Sequence, residues 1–316
     1  MSPVQQIKHP LFHHYKLEVY IKRDDLLHTI ISGNKWRKLK YNIKQAKKLN
    51  KKSILSFGGS YSNHIHALAF ACYQQGIKSK AIIRGEREYA NNFTLSWAKH
   101  WGMELIFVNR ETYRKRQQAH YLASLQHEYT HSFIVPEGGS NSLALPGVGE
   151  ICDELQQQGA HYDHLLLPVG SGGTLAGLVS ADKNQHNLLG IAVLKQGNKT
   201  ANYLTNEVNK LLTQSARQFT NWQIFNHYHC GGYAKFSSLD LARIQAFMTS
   251  TNIPLEPVYS GKMILALLDL IEQNYFQAHD KIMLLHTGGL QGLAGLAERN
   301  LINPLEWPLP PTPTAK

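Results

Sequence analysis

An α/β protein with parallel sheets covered by helices on both faces is what this sequence predicts, and three observations carry the prediction. Short runs rich in Ile, Leu and Val alternate with longer amphipathic stretches along most of the chain, and a strand that returns parallel to its neighbour needs a helical crossover of that kind. Glycine-rich turns follow several of the apolar runs, at Gly58-Gly59, at Gly170-Ser171-Gly172-Gly173 and at Thr287-Gly288-Gly289, where loops at the carboxyl ends of parallel strands gather ligands. A length of 316 residues exceeds the usual size of one domain, which favours two.

The elements follow in order. A strand over 53–57 leads into a helix over 63–75, and further strands are expected over 80–84, 104–108 and 133–136 with helices over 93–101 and 111–126 between them; this stretch makes an α/β unit by itself. A helix over 148–158 then precedes a strand over 165–169, the second glycine loop and another helix. Strands over 189–194, 222–225 and 282–286 and helices over 239–249 and 262–271 complete the reading. The expected division is a small domain, 41–146, inserted into a larger one made of 1–40 and 147–316. The proline-rich tail, Pro308 to Pro313, reads as a surface end.

Composition narrows the function classes. Apolar content of 43% and charged content of 17% are ordinary for a globular protein, and no uncharged stretch reaches the length of a membrane span. The first residues lack the apolar core of a signal peptide, so a cytoplasmic protein is expected. A net charge of +11 raises a nucleic-acid reading, but the lysines and arginines are scattered rather than clustered in a block; a solvated basic surface that attracts small anions fits better. Cys72, Cys152 and Cys230 are odd in number and far apart, as in a reducing compartment without a disulfide framework. His64, His66, His227, His229 and Cys230 lack metal-ligand spacing, so no metal is expected.

Chemistry concentrates in three places. In Gly33-Asn34-Lys35-Trp36-Arg37-Lys38, Lys35 follows residues that permit unusual backbone angles, and a tight loop there would aim its amine inward, where burial makes lysine a usable nucleophile and base. The run Gly170-Ser171-Gly172-Gly173-Thr174 joins an apolar strand to an apolar helix, which puts unpaired N–H groups and the positive helix end at one point, a natural seat for phosphate. It is neither a Walker loop nor the dinucleotide fingerprint. In Gly59-Ser60-Tyr61-Ser62-Asn63-His64, Ser62 or Asn63 can cap the next helix while exposed N–H groups take a carboxylate.

The order of these motifs, from about residue 17 to 293, resembles the fold-type II pyridoxal phosphate enzymes, which share the tryptophan synthase β-like fold, and in particular the 1-aminocyclopropane-1-carboxylate deaminase and D-cysteine desulfhydrase family. The resemblance implies pyridoxal 5'-phosphate as cofactor, Lys35 as the residue that carries it, Asn63 at its phenolic oxygen, Gly170 to Thr174 as the phosphate cup and Thr287 at the pyridine nitrogen. It further implies Ser62, Asn63 and His64 on the substrate, with Ser62, Tyr233 and Tyr259 sharing the catalytic work beside Lys35, and a homodimer. Cyclopropane deaminases resemble this chain but carry glutamate where it has Ser260, and Tyr61 and His66 also depart from the pattern. A hydroxyl holds less proton on the pyridine nitrogen than a carboxylate. The departure therefore favours D-cysteine desulfhydrase-like β-elimination from a small amino acid, to keto acid and ammonia, over the cyclopropane deaminase. A non-catalytic amino-acid or nucleotide-binding protein would leave the lysine and tyrosines unexplained.

Overall fold

The computed structural model describes every residue except 32, 196–201, 214–216 and 311–316. Ser32 of the lysine run and Pro311 to Pro313 of the proline-rich tail lie outside the described residues. Ten strands are present among the described ones: β1 Val4–Ile7, β2 Glu18–Lys22, β3 Ser53–Gly59, β4 Lys78–Arg84, β5 Met103–Val108, β6 Ser132–Ile134, β7 His164–Val169, β8 Asn187–Ala192, β9 Trp222–Phe225 and β10 Lys281–Leu285. They form a six-stranded sheet in the order β1-β2-β10-β7-β8-β9 and a four-stranded sheet in the order β5-β4-β3-β6. Every pairing is parallel except β1 with β2.

The central strands read as unbroken apolar runs because both of their faces are covered. Leu165, Leu166 and Leu167 of β7 are inaccessible, and they alternate between two cores: Leu166 packs with the helix Ser260–Glu272, while Leu165 and Leu167 pack with the helices Ala144–Gln157 and Gly173–Asp182. The four-stranded sheet divides its burial in the same way, Ile54 to one side and Leu55 and Phe57 to the other.

Two expectations need correction. β1 and β2 are absent from the sequence reading, since each is only four or five residues long and β1 carries exposed Gln5 and Gln6. The single helix expected over 111–126 is broken into Arg110–Arg114, a 3-10 turn Lys115–Gln117 and Ala119–Glu128.

The two sheets are joined through packed helices. Asn34–Lys48 and Ala144–Gln157 cross so closely that a Cβ on Gly147 would lie 2.1 Å from the carbonyl oxygen of Arg37. At that crossing the Arg37 guanidinium enters a buried charge cluster, bonding both carboxylate oxygens of Asp24 at 2.6 and 2.8 Å and those of Glu154 at 2.9 Å. Lys22 reaches Glu154 at 2.7 Å and Ser2 donates to Asp24 at 2.6 Å. Burial alone would raise the Glu154 carboxyl, but the bonds and charges of Arg37 and Lys22 outweigh it and hold the pKa down at about 2.

Removing one member of such a cluster strands the others in a low-dielectric interior, so Arg37→Ala should lower the unfolding free energy by about 3–5 kcal/mol. Urea denaturation measures it, and a loss below about 1 kcal/mol would mean the cluster adds little. The pH dependence has a definite sign. Because the folded pKa of Glu154 lies below the unfolded value of about 4.3, its contribution is complete above that pH and is lost as pH falls toward 2. Glu154→Gln should flatten this acid limb in denaturation curves taken between those limits, and an unchanged limb would assign the acid sensitivity elsewhere.

Candidate active site

The lysine helix starts at a joint. Gly33, at φ +71°, stands so close to the loop after β10 that a Cβ would lie 1.9 Å from the carbonyl oxygen of Thr287, and the Asn34 N–H donates to that oxygen at 3.3 Å. Lys35 is therefore the second residue of the helix Asn34–Lys48 and not part of a tight loop, a correction to the sequence reading. Its amine still lines the cleft between the sheets, because the first turn is clamped against Thr287 and faces inward. Burial lowers its pKa from 10.5 to about 8, against an opposing pull from Glu256. The cleft measures about 940 Å³.

The second glycine loop gathers partners that sequence reading did not find. Lys38, one turn beyond Lys35, donates to the Gly138 carbonyl at 3.1 Å, to Ser140 Oγ at 3.0 Å and to Ser171 Oγ at 3.5 Å. The Ser140 and Ser171 hydroxyls lie 2.7 Å apart, and Asn34 Nδ2 donates to Thr174 Oγ1 at 2.8 Å while its Oδ1 accepts from Lys35 at 2.8 Å. Gly170, Ser171, Gly172 and Thr174 line the cleft, and Gly173 opens the helix Gly173–Asp182. The loop is held tightly: Gly172 sits at φ +81°, and a Cβ on Gly173 would come within 2.5 Å of Ser140 Oγ. A helix N-terminus, a lysine and three hydroxyls at one place fit a phosphate group. Spacing i to i+3 on a helix places Lys35 and Lys38 side by side, a relation invisible while Lys35 is read as a loop residue.

Across the cleft, Ser62 caps the helix Asn63–Gln74, its Oγ accepting from Ile65 N at 3.3 Å. The backbone N–H groups of Asn63 and His64 thus stand at a helix start, where no intrahelical acceptor exists. The Asn63 amide packs on the loop after β10, since a Cβ on Gly289 would lie 3.1 Å from its Nδ2. His64 also lines the cleft, its Nε2 paired with Ser56 Oγ at 2.8 Å and its Nδ1 without a partner among the described residues. Burial, with Lys35 and Lys38 nearby, pushes its pKa down to about 3, so the ring is neutral. Tyr233 donates to the Tyr61 carbonyl at 3.1 Å, and burial pushes its hydroxyl up to about 12. Tyr259 packs on the phosphate loop, 3.4 Å from a Cβ placed on Gly170, and its hydroxyl is raised well above the ordinary range by burial. Thr287 lines the cleft between the Lys35 and Asn63 walls.

Ser260 does not line the cleft. It is fully buried, and its hydroxyl bonds the backbone and carboxylate of Glu256 at 3.0 to 3.1 Å. A carboxylate does stand beside it, that of Glu256, which accepts from the N–H groups of Val258, Tyr259 and Ser260 at 2.7 to 3.1 Å. It lies directly behind the cleft wall, its Cγ 3.8 Å from a Cβ placed on Gly289. Burial pushes it up to about 7, against those hydrogen bonds. Sequence reading weighed only the residue after the tyrosine; the signal available was an acidic residue four positions before a helix, able to fold back on its N-terminus.

A parallel α/β fold with a buried lysine amine, a phosphate seat and a helix start facing each other across one cleft defines a class of cofactor enzyme. Residues 3–288 match the family of pyridoxal-phosphate dependent enzymes, and the chain belongs to that family. It is 29% identical over 310 residues to a putative 1-aminocyclopropane-1-carboxylate deaminase of Thermotoga maritima, covering 94% of this chain and 96% of that protein. It is 26% identical over 292 residues to a D-cysteine desulfhydrase of Serratia proteamaculans, covering 87% and 88%. The crystal structure of an ACC deaminase homologue superposes with a TM-score of 0.80 at 26% identity, over 95% of this chain and 94% of that one. The protein is a pyridoxal phosphate enzyme.

Because burial lowers the Lys35 ammonium, cofactor-free protein should show one lysine whose reductive methylation rises with pH around a midpoint near 8. Peptide mapping should place that label on Lys35. Glu256→Gln should move the midpoint lower, since the carboxylate charge opposes the shift; a midpoint near the ordinary lysine value in both proteins would refute the electrostatic account.

Proposed function

We propose that the protein catalyses deaminating β-elimination from a small amino acid, with D-cysteine as leading substrate: D-cysteine and one water give pyruvate, hydrogen sulfide and ammonia. One observation carries this reading, a lysine amine of depressed proton affinity in the same cleft as the helix start at Ser62, Asn63 and His64 and two protonated tyrosines. In it the phosphate is held by Gly170, Ser171, Gly172, Gly173 and Thr174 with Lys38 and Ser140, the phenolic oxygen by Asn63 and the ring nitrogen from the side of Thr287. The bound cofactor supplies an electron sink for charge that develops at the substrate Cα.

The chain's own groups divide the remaining work. Lys35, linked to the cofactor at rest, takes the Cα proton as a base, which a pKa near 8 suits at neutral pH. The N–H groups of Asn63 and His64 hold the substrate carboxylate at the positive helix end, and the Ser62 hydroxyl, whose lone pair already caps the helix, keeps its proton available to donate. Tyr233 and Tyr259 stay protonated at neutral pH, so they can give a proton to the departing thiolate. A cytoplasmic homodimer belongs to the same reading; the three free thiols Cys72, Cys152 and Cys230 support a reducing compartment, and the family resemblance supports the dimer.

A second reading, 1-aminocyclopropane-1-carboxylate deamination, is favoured by Glu256, which puts a titratable carboxyl group behind Gly289, near the cleft, where Ser260 offers only a hydroxyl. Turnover decides between them. With cofactor bound, keto-acid release from D-cysteine should exceed that from L-cysteine and from the cyclopropane amino acid; a faster cyclopropane reaction would install the second reading. Lys35→Ala should lose about 10²–10⁴-fold in turnover and the visible absorbance of bound cofactor should shift. Retained turnover in that variant would remove Lys35 from the chemistry.

A further inference from the structure

The described cleft lining holds eight lysines and arginines against three glutamates. Four of these cations are already engaged. Arg116 pairs with Glu137 at 2.7 Å and Lys210 with Glu207 at 2.6 Å, while Lys35 and Lys38 point to the groups that seat the cofactor. Two arginines at the outer wall are different. Arg84, at the end of β4, holds its guanidinium 5.5 Å over the Tyr113 ring, with Nη2 3.4 Å from a Cβ placed on Gly59. Arg299 stacks 4.3 Å over the Tyr61 ring and spends only Nε, on the Gly295 carbonyl at 2.9 Å. Among the described residues neither makes an ion pair with a carboxylate, although Glu86 lines the same cleft and Glu298 acts on Tyr61.

The two guanidiniums flank one loop, Arg84 beside Gly59 and Arg299 on the Tyr61 ring. The Tyr233 hydroxyl, bonded to the Tyr61 carbonyl, feels both charges, Arg299 more strongly than Arg84. That loop, Gly59 to Ser62, leads to the helix end that takes the α-carboxylate in the proposed function. Stacked guanidiniums keep their edge N–H groups directed outward, a geometry suited to oxyanions. A three-carbon amino acid with a neutral side chain offers them nothing to bind.

We propose that Arg84 and Arg299 form a second anion subsite at the side-chain end of the cleft, so that beside its elimination substrate the cleft takes small amino acids ending in an oxyanion more tightly than their neutral counterparts. This rests on the proposed function for the placement of the α-carboxylate. The test uses the protein with bound pyridoxal phosphate and compares anionic and neutral pairs by calorimetry and by the visible absorbance of the cofactor: both enantiomers of aspartate against asparagine, and O-phosphoserine against serine. One anionic member should bind at least about tenfold more tightly than its neutral partner, and which pair shows it separates a carboxylate from a phosphate. Arg84→Gln and Arg299→Gln should each reduce that ratio severalfold, with Arg→Lys retaining part of it, and salt should weaken only the anionic member.

Equal binding within both pairs, in protein that has taken up cofactor and responds to D-cysteine, would overturn the subsite and leave the elimination reading intact. A preference that survives both glutamine variants would also overturn it. Protein that binds cofactor and prefers the anionic members through these arginines, yet eliminates from no amino acid, would support the subsite and sink the elimination reading.

Discussion

The Arg37 guanidinium, buried at the crossing of two helices, is the contact on which the cleft geometry depends. It reaches Asp24, which follows β2, and Glu154, on the helix Ala144–Gln157. It also stands two residues after Lys35, so one side of the lysine turn is tied to the six-stranded sheet while the other meets the cleft. Asp24 closes the arrangement, since its backbone carbonyl accepts from Gly33 N at 2.8 Å, just before the helix begins. A cluster of this sort adds little net stability over an apolar substitute, but its directional bonds fix the register of what it joins. Here what it joins is the helix bearing the cleft amine and the sheet bearing the phosphate seat.

Within the cleft the ionisable groups are tuned against each other. Lys35 and Lys38 share a helix turn, and burial, with the Lys35 charge added, holds the Lys38 ammonium well below its ordinary value. At Lys35 burial acts in the same direction and Glu256, behind Gly289, opposes it while being itself pushed toward neutrality by burial. His64, between the lysines and Ser56, is the group that yields, remaining uncharged. The result is a lysine whose proton affinity is lowered toward the neutral range beside tyrosines that keep their protons, a division of base and acid produced by burial more than by any single partner.

Legibility in the sequence followed the scale of the interaction. The strand and helix alternation was readable because parallel strands buried on both faces must be apolar throughout, as Leu165 to Leu167 are, and the three ligand-facing loops announced themselves by glycine. The short edge strand β1 and its neighbour β2 were not readable, because each spans only four or five residues and Gln5 and Gln6 of β1 give no burial signal. Lys38, Asn34 and Ser140 were missed as partners of the phosphate loop for a different reason: Lys38 and Ser171 are 133 residues apart, and only folding brings them together. Placing Lys35 in a loop was a local error with a physical cause, since Gly33 does adopt a left-handed angle and only the next residue turns helical. Glu256 was not weighed beside Ser260 because its carboxylate reaches the helix start only by folding back from four residues upstream.

Lys262 offers a last consequence. Its ammonium, fully enclosed, donates to the carbonyls of Val193, His229 and Gly232 at 3.0, 2.8 and 2.7 Å. Converging carbonyls around a positive centre are the coordination environment of an alkali metal ion, here filled by a side chain that cannot dissociate. The helix Ser260–Glu272 that carries this captive cation has Tyr259 at its cap, and Gly232 immediately precedes Tyr233. The two tyrosines, 26 positions apart in the chain by their numbering, are thereby mounted on one bracket, and a shift that opened the cleft at one of them would carry the other with it.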